Sequence, residues 1–408
     1  MGPSFAAKEF KALYDEKCDN YVVILYGSLA ATGKGHMTDV AIENELKPKK
    51  VAFIWKPNET LTFHVNGMTI KAMKGEAEVG QETYYSVGGG AIITDSELEK
   101  CKGPYKKTFS PVYSLSTMNG IMRWCRKTGL KICDMVYESE GEGIREYLTE
   151  VWNTMSRCVS IGLEGKGVLP GGLNLPRKAH DMYRAAQRSN EMISHNAYLF
   201  AYALAVAENN AGGEVVVTAP TCGACGIVPG VLYYMRHHNP DVTDDDIIDA
   251  LAVAGVIGDL AKVNASISGA EAGCQAEVGV ACAMAAGAAT FLMGGSTEQI
   301  EYAAGMAIEH MLGLTCDPVK GLVQVPCIER NAMAAGRALE CAEYALMTNT
   351  FHLISYDEVL MTMILTGEDI EDSLRETSRA GLAQTYNLDD MARKQRLQEL
   401  KSQLMGLK

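Results

Sequence analysis

The first hundred residues carry short hydrophobic runs that are typical of β-strands. Four runs are rich in β-branched and aromatic residues: residues 21–26, 51–55, 61–65 and 68–72. Asn66-Gly67, between the last two runs, is a favoured two-residue hairpin turn. Two further stretches, residues 5–16 and 38–46, have helical spacing. The pattern predicts an α+β N-terminal domain over residues 1–95.

Beyond about residue 150 the pattern becomes that of long helices rich in Ala and Gly, such as residues 244–261 and 298–312. Thr243 precedes three aspartates, which predicts a helix N-cap with an acidic first turn. A single run, residues 214–218, still has the composition of a strand. We therefore predict a helical connecting region over residues 96–150 and a larger all-α domain over residues 151–408.

Charge and targeting signals narrow the classes of protein. The chain of 408 residues has a formal net charge of −13 and no cluster of Lys and Arg, which argues against nucleic-acid binding. Its N-terminus has no apolar signal core and no transit character. One charge-free stretch, residues 278–297, is rich in Ala and Gly, which favours a helix buried in protein over a membrane span. We predict a cytoplasmic protein with no membrane or nucleic-acid partner.

The chain has 12 cysteines, and without a secretory signal we expect reduced thiols or metal ligands, not disulfides. Cys274, Cys316 and Cys327 lie in segments punctuated by Gly and Pro, near predicted helix ends. Backbone N–H groups at such positions can stabilise thiolates. Spacing alone leaves both a structural role and a metal-binding role open for these three.

Cys222 and Cys225 form a C-x-x-C motif. Such a pair can be a redox couple, half of a zinc site, or a pair of packing residues in a pocket wall. A second pair at zinc-finger spacing is missing, and so is a thioredoxin-like βαβ pattern. The sequence therefore favours the pocket wall.

Several tracts together resemble the iron–sulfur L-serine dehydratases, in the single-chain form that fuses a small β domain to a catalytic α domain. In the α domain they are GVLPGGL at 167–173, LFAYALAVAENN at 199–210, TAPTCGACGIVP at 218–229, NASISGAE at 264–271 and LTCDPVKGLVQVPCIERN at 314–331. In the front domain they are YGSLA at 26–30, TGKGHMTD at 32–39 and YYSVGGG at 84–90. They span nearly the whole chain in the family's order.

The resemblance implies that Cys274, Cys316 and Cys327 hold a [4Fe–4S] cluster, and it gives the C-x-x-C motif no ligand role. Three ligands for four irons leave one iron free to act on substrate as a Lewis acid. The implied reaction is β-elimination of water from L-serine to give pyruvate and ammonia, with no pyridoxal phosphate. Some relatives use a C-terminal cysteine as a resting ligand for the fourth iron, whereas the last cysteine here is Cys341.

Two glycine-rich segments are candidates for holding the serine carboxylate. Ser86, Gly88 and Gly89 can fold into a nest of backbone N–H groups. Thr221 and Gly223 precede a predicted helix N-terminus, which also suits an anion. Glycine is more often a plain turn residue, so the alternative for each segment is a turn that binds no ligand.

Two histidines are candidate catalytic residues. His64 resembles a histidine that the family places near the active site, and His36 lies in the GKGH tract. We expect them to transfer protons or to contact substrate. We expect His195, His310 and the pair at 237–238 to be structural or solvated. We also expect a homodimer.

The chain departs from the family at its front end. Relatives carry a Ser-rich tract ending in Ser-His-Thr directly before a segment like residues 1–4, and a histidine of that tract is assigned to proton transfer. We expect this sequence to be incomplete there, the alternative being a natural short form. Besides an Fe–S lyase, two other classes stay open: a catalytically impaired or regulatory Fe–S-binding relative, and an electron-transfer protein, which the three-ligand count disfavours.

Overall fold

The computed structural model describes residues 1–100 and 112–387, together with the single positions Gln395, Glu399 and Ser402. Within these residues the chain forms a small domain around one β-sheet, followed by a larger helical domain. This agrees with the predicted α+β domain followed by an all-α domain.

The small domain is a five-stranded sheet with the order β2-β1-β3-β4-β5. Its strands are β1 Asn20–Tyr26, β2 Lys50–Lys56, β3 Gly67–Lys74, β4 Ala77–Ser86 and β5 Ile92–Thr94. Its helices are α1 Gly2–Tyr14, α2 Gly27–Thr32, α3 Thr38–Leu46 and α4 Asp95–Lys100, with a 3-10 turn at Asp15–Lys17. Alternate residues of β1, namely Tyr21, Val23 and Leu25, are buried against Phe10 of α1, as the period of two requires.

Two of the strand and turn predictions for this domain are wrong. Residues 61–65 form no strand, and Asn66-Gly67 is not a hairpin turn. β2 pairs with β1 in parallel, whereas β3 pairs with the other edge of β1 in antiparallel fashion. The predicted hairpin required a strand at residues 61–65 to pair with β3. β1 and β4 occupy the two sides of β3, so no place is left for that strand. The hairpin instead joins β3 to β4, with Gly75 in the left-handed region at a φ of +62°.

The larger domain is built from thirteen further α-helices in the part of the chain that the structure describes. They are α5 Met118–Thr128, α6 Ile132–Glu140, α7 Gly143–Glu164, α8 Ala179–Ala186, α9 Glu191–Gly212, α10 Ile227–His238, α11 Asp244–Asn264, α12 Gly269–Ala272, α13 Val280–Leu292, α14 Thr297–Glu309, α15 Cys327–Met347, α16 Tyr356–Asp369 and α17 Gly381–Asn387. A π-turn, Gln275–Gly279, leads into α13, and 3-10 turns lie at Val319–Gly321 and Asp372–Leu374. The predicted strand at 214–218 is wrong, because its surroundings are helical and offer no strand to pair with.

Helix α13 forms the centre of the larger domain, and its residues 280–290 are all buried. It packs against α10, α11, α14 and α15. Gly287 is required by this packing, since a Cβ there would lie 2.2 Å from Cδ1 of Ile257. Among the described residues, one stretch, Gln275–Leu292, is long and apolar enough to cross a membrane, and 83% of it is buried inside the protein. The stretch therefore has the surroundings of a core helix.

The predicted N-cap at Thr243 is confirmed. Its hydroxyl accepts the backbone N–H of Asp246 at 3.2 Å, and the Asp246 carboxylate accepts the backbone N–H of Thr243 at 2.8 Å. This reciprocal pair satisfies two N–H groups that the first turn of α11 leaves free.

Candidate functional site

A cavity of about 530 Å³ lies between the two domains. The sheet domain contributes residues from three segments: Met1, His36, Ser86, Gly88 and Gly89. The helical domain contributes loop and helix-end residues: Thr221, Cys222, Gly223, Ser268, Glu277, Cys316, Cys327 and Glu376. A second cavity of about 540 Å³, beside α5 and α14, contains none of the predicted site residues. The chemistry is therefore concentrated at the junction of the domains.

The three cysteines singled out in the sequence converge on this cavity. Cys316 and Cys327 line it, and the thiol of Cys274 is hydrogen-bonded to that of Cys316. The contact with Cys316 and the nearby Arg330 guanidinium lower the pKa of Cys274, whereas burial raises the pKa of Cys327. Within the Cys274–Cys316 pair, Cys274 therefore loses its proton more readily, and the Cys316 thiol donates to it.

Arg330 links the cysteine loops. It donates to the backbone oxygen of Thr315 at 2.7 Å and lies 3.6 Å from the Asp317 carboxylate. It therefore holds the Cys316 loop while its charge faces Cys274. The sequence alone did not indicate this role, because Arg330 is one of many arginines on helices.

Cys316 is also held by a segment from near the end of the described chain. Its N–H donates to the Leu374 oxygen at 2.8 Å, and its own carbonyl accepts the N–H of Glu376 at 2.6 Å. The hydroxyl of Ser28, from the sheet domain, donates to the Glu376 carbonyl at 2.8 Å. Glu376 has a φ of +56°, a left-handed conformation that costs free energy and is concentrated at functional sites. This segment therefore joins both domains at the cavity.

The predicted anion-binding turn at Thr221 and Gly223 lies directly before α10 and beside Cys327. The side-chain N–H₂ of Asn331 donates to the carbonyls of Gly223 and Cys327, each at 2.8 Å. The Asn331 oxygen accepts the N–H of Gly226 at 2.8 Å. Thr221 Oγ1 is buried and makes no hydrogen bond of ordinary length and angle, although the hydroxyl is close enough to the Glu277 carboxyl to lower its pKa. A buried polar atom of this kind, on a cavity wall, is suited to a bound ligand.

The second predicted anion-binding segment forms the turn between β4 and β5. Gly88 and Gly89 have φ values of +91° and +58°, which glycine adopts without strain. Both contact Ile267 of the helical domain, since a Cβ on either would lie 3.3 to 3.4 Å from that side chain. Ser86 borders the cavity on the same side. The structure thus brings both glycine-rich segments to one cavity.

His36 lines the cavity, and its Nδ1 lies 3.7 Å from Oε1 of Glu376. Burial lowers the pKa of His36 to about 4, although 28% of the side chain stays exposed and solvent there offsets part of the effect. Burial, together with the nearby charge of Glu277, raises the pKa of Glu376 well above its usual value. The imidazole therefore favours its neutral form, and the Glu376 carboxyl holds its proton more tightly than a carboxyl in water.

His64 is not among the residues that line the cavity. Its Nε2 is 2.7 Å from Oε1 of Glu271, and its Nδ1 accepts the N–H of Asn66 at 3.0 Å. Nδ1 is thus the unprotonated nitrogen, and Nε2–H points to the carboxylate. Burial would raise the pKa of Glu271, but hydrogen bonds from His64 and Ser266 outweigh it and lower the pKa. His64 is therefore part of a buried contact between the two domains.

Glu277 was not found by sequence reasoning. It lies in the π-turn three residues after Cys274, and its Oε2 is 3.9 Å from the sulfur of Cys316. Burial raises its pKa. The helical pattern around it gave no signal, because the π-turn that points its side chain into the cavity arises only in the packed domain.

The fold and the cavity define a class of protein: a two-domain chain with buried thiols and titratable groups at the domain junction. Comparison with known proteins then gives the family. The model of the serine dehydratase alpha chain matches residues 64–383, and that of the serine dehydratase beta chain matches residues 1–52. The chain belongs to the serine dehydratase family.

Three relatives show the extent of the likeness. The chain is 40% identical to the L-serine dehydratase of Haemophilus influenzae and 40% identical to L-serine dehydratase 1 of Escherichia coli. It is 41% identical to the L-serine dehydratase of Streptomyces coelicolor. Each match covers 94% of this chain and 94% of the relative. The recognised family is thereby confirmed.

Proposed function

We propose that this protein is an L-serine dehydratase that eliminates water from L-serine to give pyruvate and ammonia. The observation that carries the proposal is the junction cavity, which Cys316 and Cys327 of the helical domain line together with His36 and the Ser86–Gly89 turn of the sheet domain. Cys274 is hydrogen-bonded to Cys316. The reaction needs an electrophile for the β-hydroxyl, donors for the carboxylate and a base for the α-proton. The cavity collects candidates for all three.

We propose a [4Fe–4S] cluster bound by Cys274, Cys316 and Cys327. No group of three or more His, Cys, Asp or Glu side chains within the described residues is set to hold a single metal ion. A cubane differs from a single ion because it takes each thiolate on a separate iron. The thiols of Cys274 and Cys316, hydrogen-bonded to each other in this structure, would therefore move apart to hold it. Thiolate sulfur is also the donor that iron–sulfur clusters prefer.

The space beside the thiols supports this fit. A Cβ on Gly269 would lie 2.5 Å from the Glu277 carboxylate and 3.3 Å from the Cys316 sulfur. Glycine at 269 therefore keeps the approach to Cys316 clear. The buried hydroxyl of Thr221, which faces the Glu277 carboxyl, borders the same space. When bound, a cluster with one iron free of protein ligands supplies a Lewis acid for the departure of hydroxide.

The protein's own groups then bind the substrate and move its protons. Backbone N–H groups of Gly88 and Gly89, and of the turn at Thr221 and Gly223, receive the serine carboxylate. His36 is the preferred base for the α-proton, because it lines the cavity and is neutral at pH 7. His64 becomes a positioning residue, since both of its ring nitrogens are already engaged.

The remaining expectations are part of the same proposal. Elimination gives aminoacrylate, which tautomerises and hydrolyses to pyruvate and ammonia without pyridoxal phosphate. We propose that the enzyme acts in the cytoplasm as a homodimer, with L-serine as its ligand and neither a membrane nor nucleic acid as a partner.

Anaerobic reconstitution with iron and sulfide tests the proposal. We expect about four irons and four sulfides per chain and pyruvate release from L-serine. A loaded cluster without turnover would instead support a catalytically impaired or regulatory relative. Serine turnover by chelator-treated, iron-free protein would contradict the cluster mechanism.

A further inference from the structure

The ring of His36, the preferred base, makes no hydrogen bond through either nitrogen to another described residue. Its backbone is nonetheless fixed, because its N–H donates to the Thr32 carbonyl at 3.0 Å. A Cβ on the preceding Gly35 would lie only 2.0 Å from the carbonyl oxygen of Gly321, in the helical domain. The loop that carries His36 therefore packs tightly against the helical domain, while the orientation of the ring still has to be set by a side chain nearby.

Glu376 is the carboxyl that faces this ring, with its Oε1 3.7 Å from Nδ1 of His36. The backbone of Glu376 is held from both domains. Its N–H donates to the Cys316 carbonyl at 2.6 Å, and its own carbonyl accepts the hydroxyl of Ser28, a buried residue of the sheet domain, at 2.8 Å. The carboxyl is therefore presented to His36 from a fixed segment of chain.

The side of the ring that faces Glu376 decides which nitrogen can act as the base. A neutral imidazole carries a proton on one nitrogen and a lone pair on the other. Nδ1 faces Glu376, so the lone pair that takes the α-proton belongs on Nε2, and Nδ1 must hold the proton. The Glu376 side chain can accept Nδ1–H through a carboxylate oxygen or, when protonated, through its carbonyl oxygen. A movement of less than about 1 Å brings the two atoms to ordinary hydrogen-bond length.

We propose that Glu376 is a positioning residue, which accepts Nδ1–H of His36 and so fixes the ring orientation and the tautomer in which Nε2 takes the α-proton of L-serine. The proton from serine goes to Nε2, and after the transfer Nδ1 still donates to Glu376. Glu376 acts through His36 and not through direct contact with the substrate. This inference rests on the proposed function, because it takes His36 as the base.

Steady-state kinetics of the anaerobically loaded full-length chain test this role. Glu376→Met keeps the length of the side chain but removes the acceptor. We expect it to lower kcat by about 10- to 100-fold, because a displacement of about 1 Å at a reacting group can cost that much, with KM changed less than about twofold. Glu376→Gln keeps an acceptor oxygen and should stay within about threefold of the unmodified chain. Glu371→Met, at an exposed position of the same segment, is the matched control and should be fully active.

A double variant separates positioning from general damage to the cavity. His36→Gln already lacks the base, so Glu376→Met added to it should lower the residual kcat by less than about twofold. An equal loss in both backgrounds would overturn the inference, and so would full activity of Glu376→Met or a Gln variant as impaired as the Met variant. Loss of iron from Glu376→Met would also overturn it, because the carboxyl would then serve the Cys316 loop. All four outcomes leave the proposed function intact while the unmodified chain releases pyruvate.

Nitrogen-15 NMR of the histidine rings gives a readout that does not depend on turnover. It is recorded on the full-length chain without cluster, and the His36 signals are those missing from His36→Gln. We expect the Nδ1–H form in the unmodified chain and in Glu376→Gln, and a shift towards the Nε2–H form in Glu376→Met, since the hydrogen bond at one ring nitrogen sets which of the two is protonated. The Nε2–H form in the unmodified chain would contradict the inference alone. A loaded chain that has the Nδ1–H form but releases no pyruvate would contradict the proposed function.

Discussion

The helical domain and the sheet domain meet at one cavity but contribute different chemistry to it. The helical domain places three thiols at the ends of buried helices, with Arg330 and Asn331 fixing the loops around them. The sheet domain contributes His36 and the glycine turn at 88–90, which lie on loops at its surface. We therefore expect the proposed cluster to depend mainly on the helical domain, and turnover to require correct docking of the sheet domain as well.

The largest expected effect is loss of the cluster. Cys274→Ala, Cys316→Ala and Cys327→Ala should each abolish cluster assembly, because a second iron then lacks a protein ligand and the cluster becomes labile. Cys341→Ala and Cys158→Ala are the matched controls and should assemble it normally. Iron and sulfide analysis of the five variants is the measurement. Full iron content in any of the first three would remove that cysteine from the ligand set.

The next effect separates turnover from cluster assembly. His36→Gln should lower kcat by about a hundredfold or more, the usual contribution of one acid–base group. Its iron content should be unchanged, because His36 belongs to the sheet domain. Pyruvate release and iron analysis on the same sample test both halves of this expectation. Loss of iron in His36→Gln would show that the two domains do not divide the chemistry as proposed.

Docking of the domains is tested through His64 and Glu271. His64→Ala should lower the free energy of unfolding by about 1.5–2 kcal/mol, in the lower half of the range for a hydrogen bond to a charged group, because the Glu271 side chain is 40% exposed. Glu271→Gln keeps an acceptor for Nε2–H and should lose less than about 1 kcal/mol. Urea denaturation of both variants measures the difference. Equal losses would mean that the charge, and not the hydrogen bond, holds the contact.

The smallest expected effect is a pH dependence of stability. The pKa of His36 is lowered from about 6.5 in the unfolded chain to about 4 in the folded protein. Between these values the unfolded chain binds a proton that the folded chain does not, so this contribution is present above pH 6.5 and is lost as the pH falls towards 4.

The matched variant isolates the contribution of His36 from that of the buried carboxyls. Glu277 and Glu376 have raised pKa values and act in the opposite direction in both proteins. From about pH 7 to pH 5, His36→Gln should therefore lose less stability than the unmodified chain. Urea denaturation at the two pH values tests this. If both proteins lost the same free energy of unfolding between the two pH values, the His36 ring would be solvated and not enclosed by the cavity.

The motifs quoted from the sequence identified the family correctly, because each combines a local structural pattern with residues of specific chemistry. The glycines at 88 and 89 and the cap at Thr243 could be read from local rules, since φ values above zero and unpaired N–H groups depend on neighbours in the chain. Long helices such as α11 and α14 were also predictable from their spacing. Those features need no knowledge of distant contacts.

The strand predictions failed where a partner strand decides the outcome. Residues 214–218 have the composition of a strand, but they line the cavity at the domain junction and pair with no described strand. Asn66-Gly67 has the composition of a hairpin turn, but β1 separates β2 from β3. A single segment carries no information about which strand lies beside it, so these errors could not have been avoided from the local pattern.

The sequence by itself determined the order of the two domains. Through its resemblance to a family and its local pattern, it also marked Cys274, Cys316, Cys327 and the two glycine-rich turns as candidate site residues. Only the tertiary structure decided that His36, and not His64, faces the cavity, and that Glu277 and Glu376 border it. His64 and Glu271 are 207 positions apart in the chain, as are many pairs that never meet. The reason is physical: the protonation and role of a side chain depend on burial and neighbouring charges, which distant segments supply only when the chain is folded.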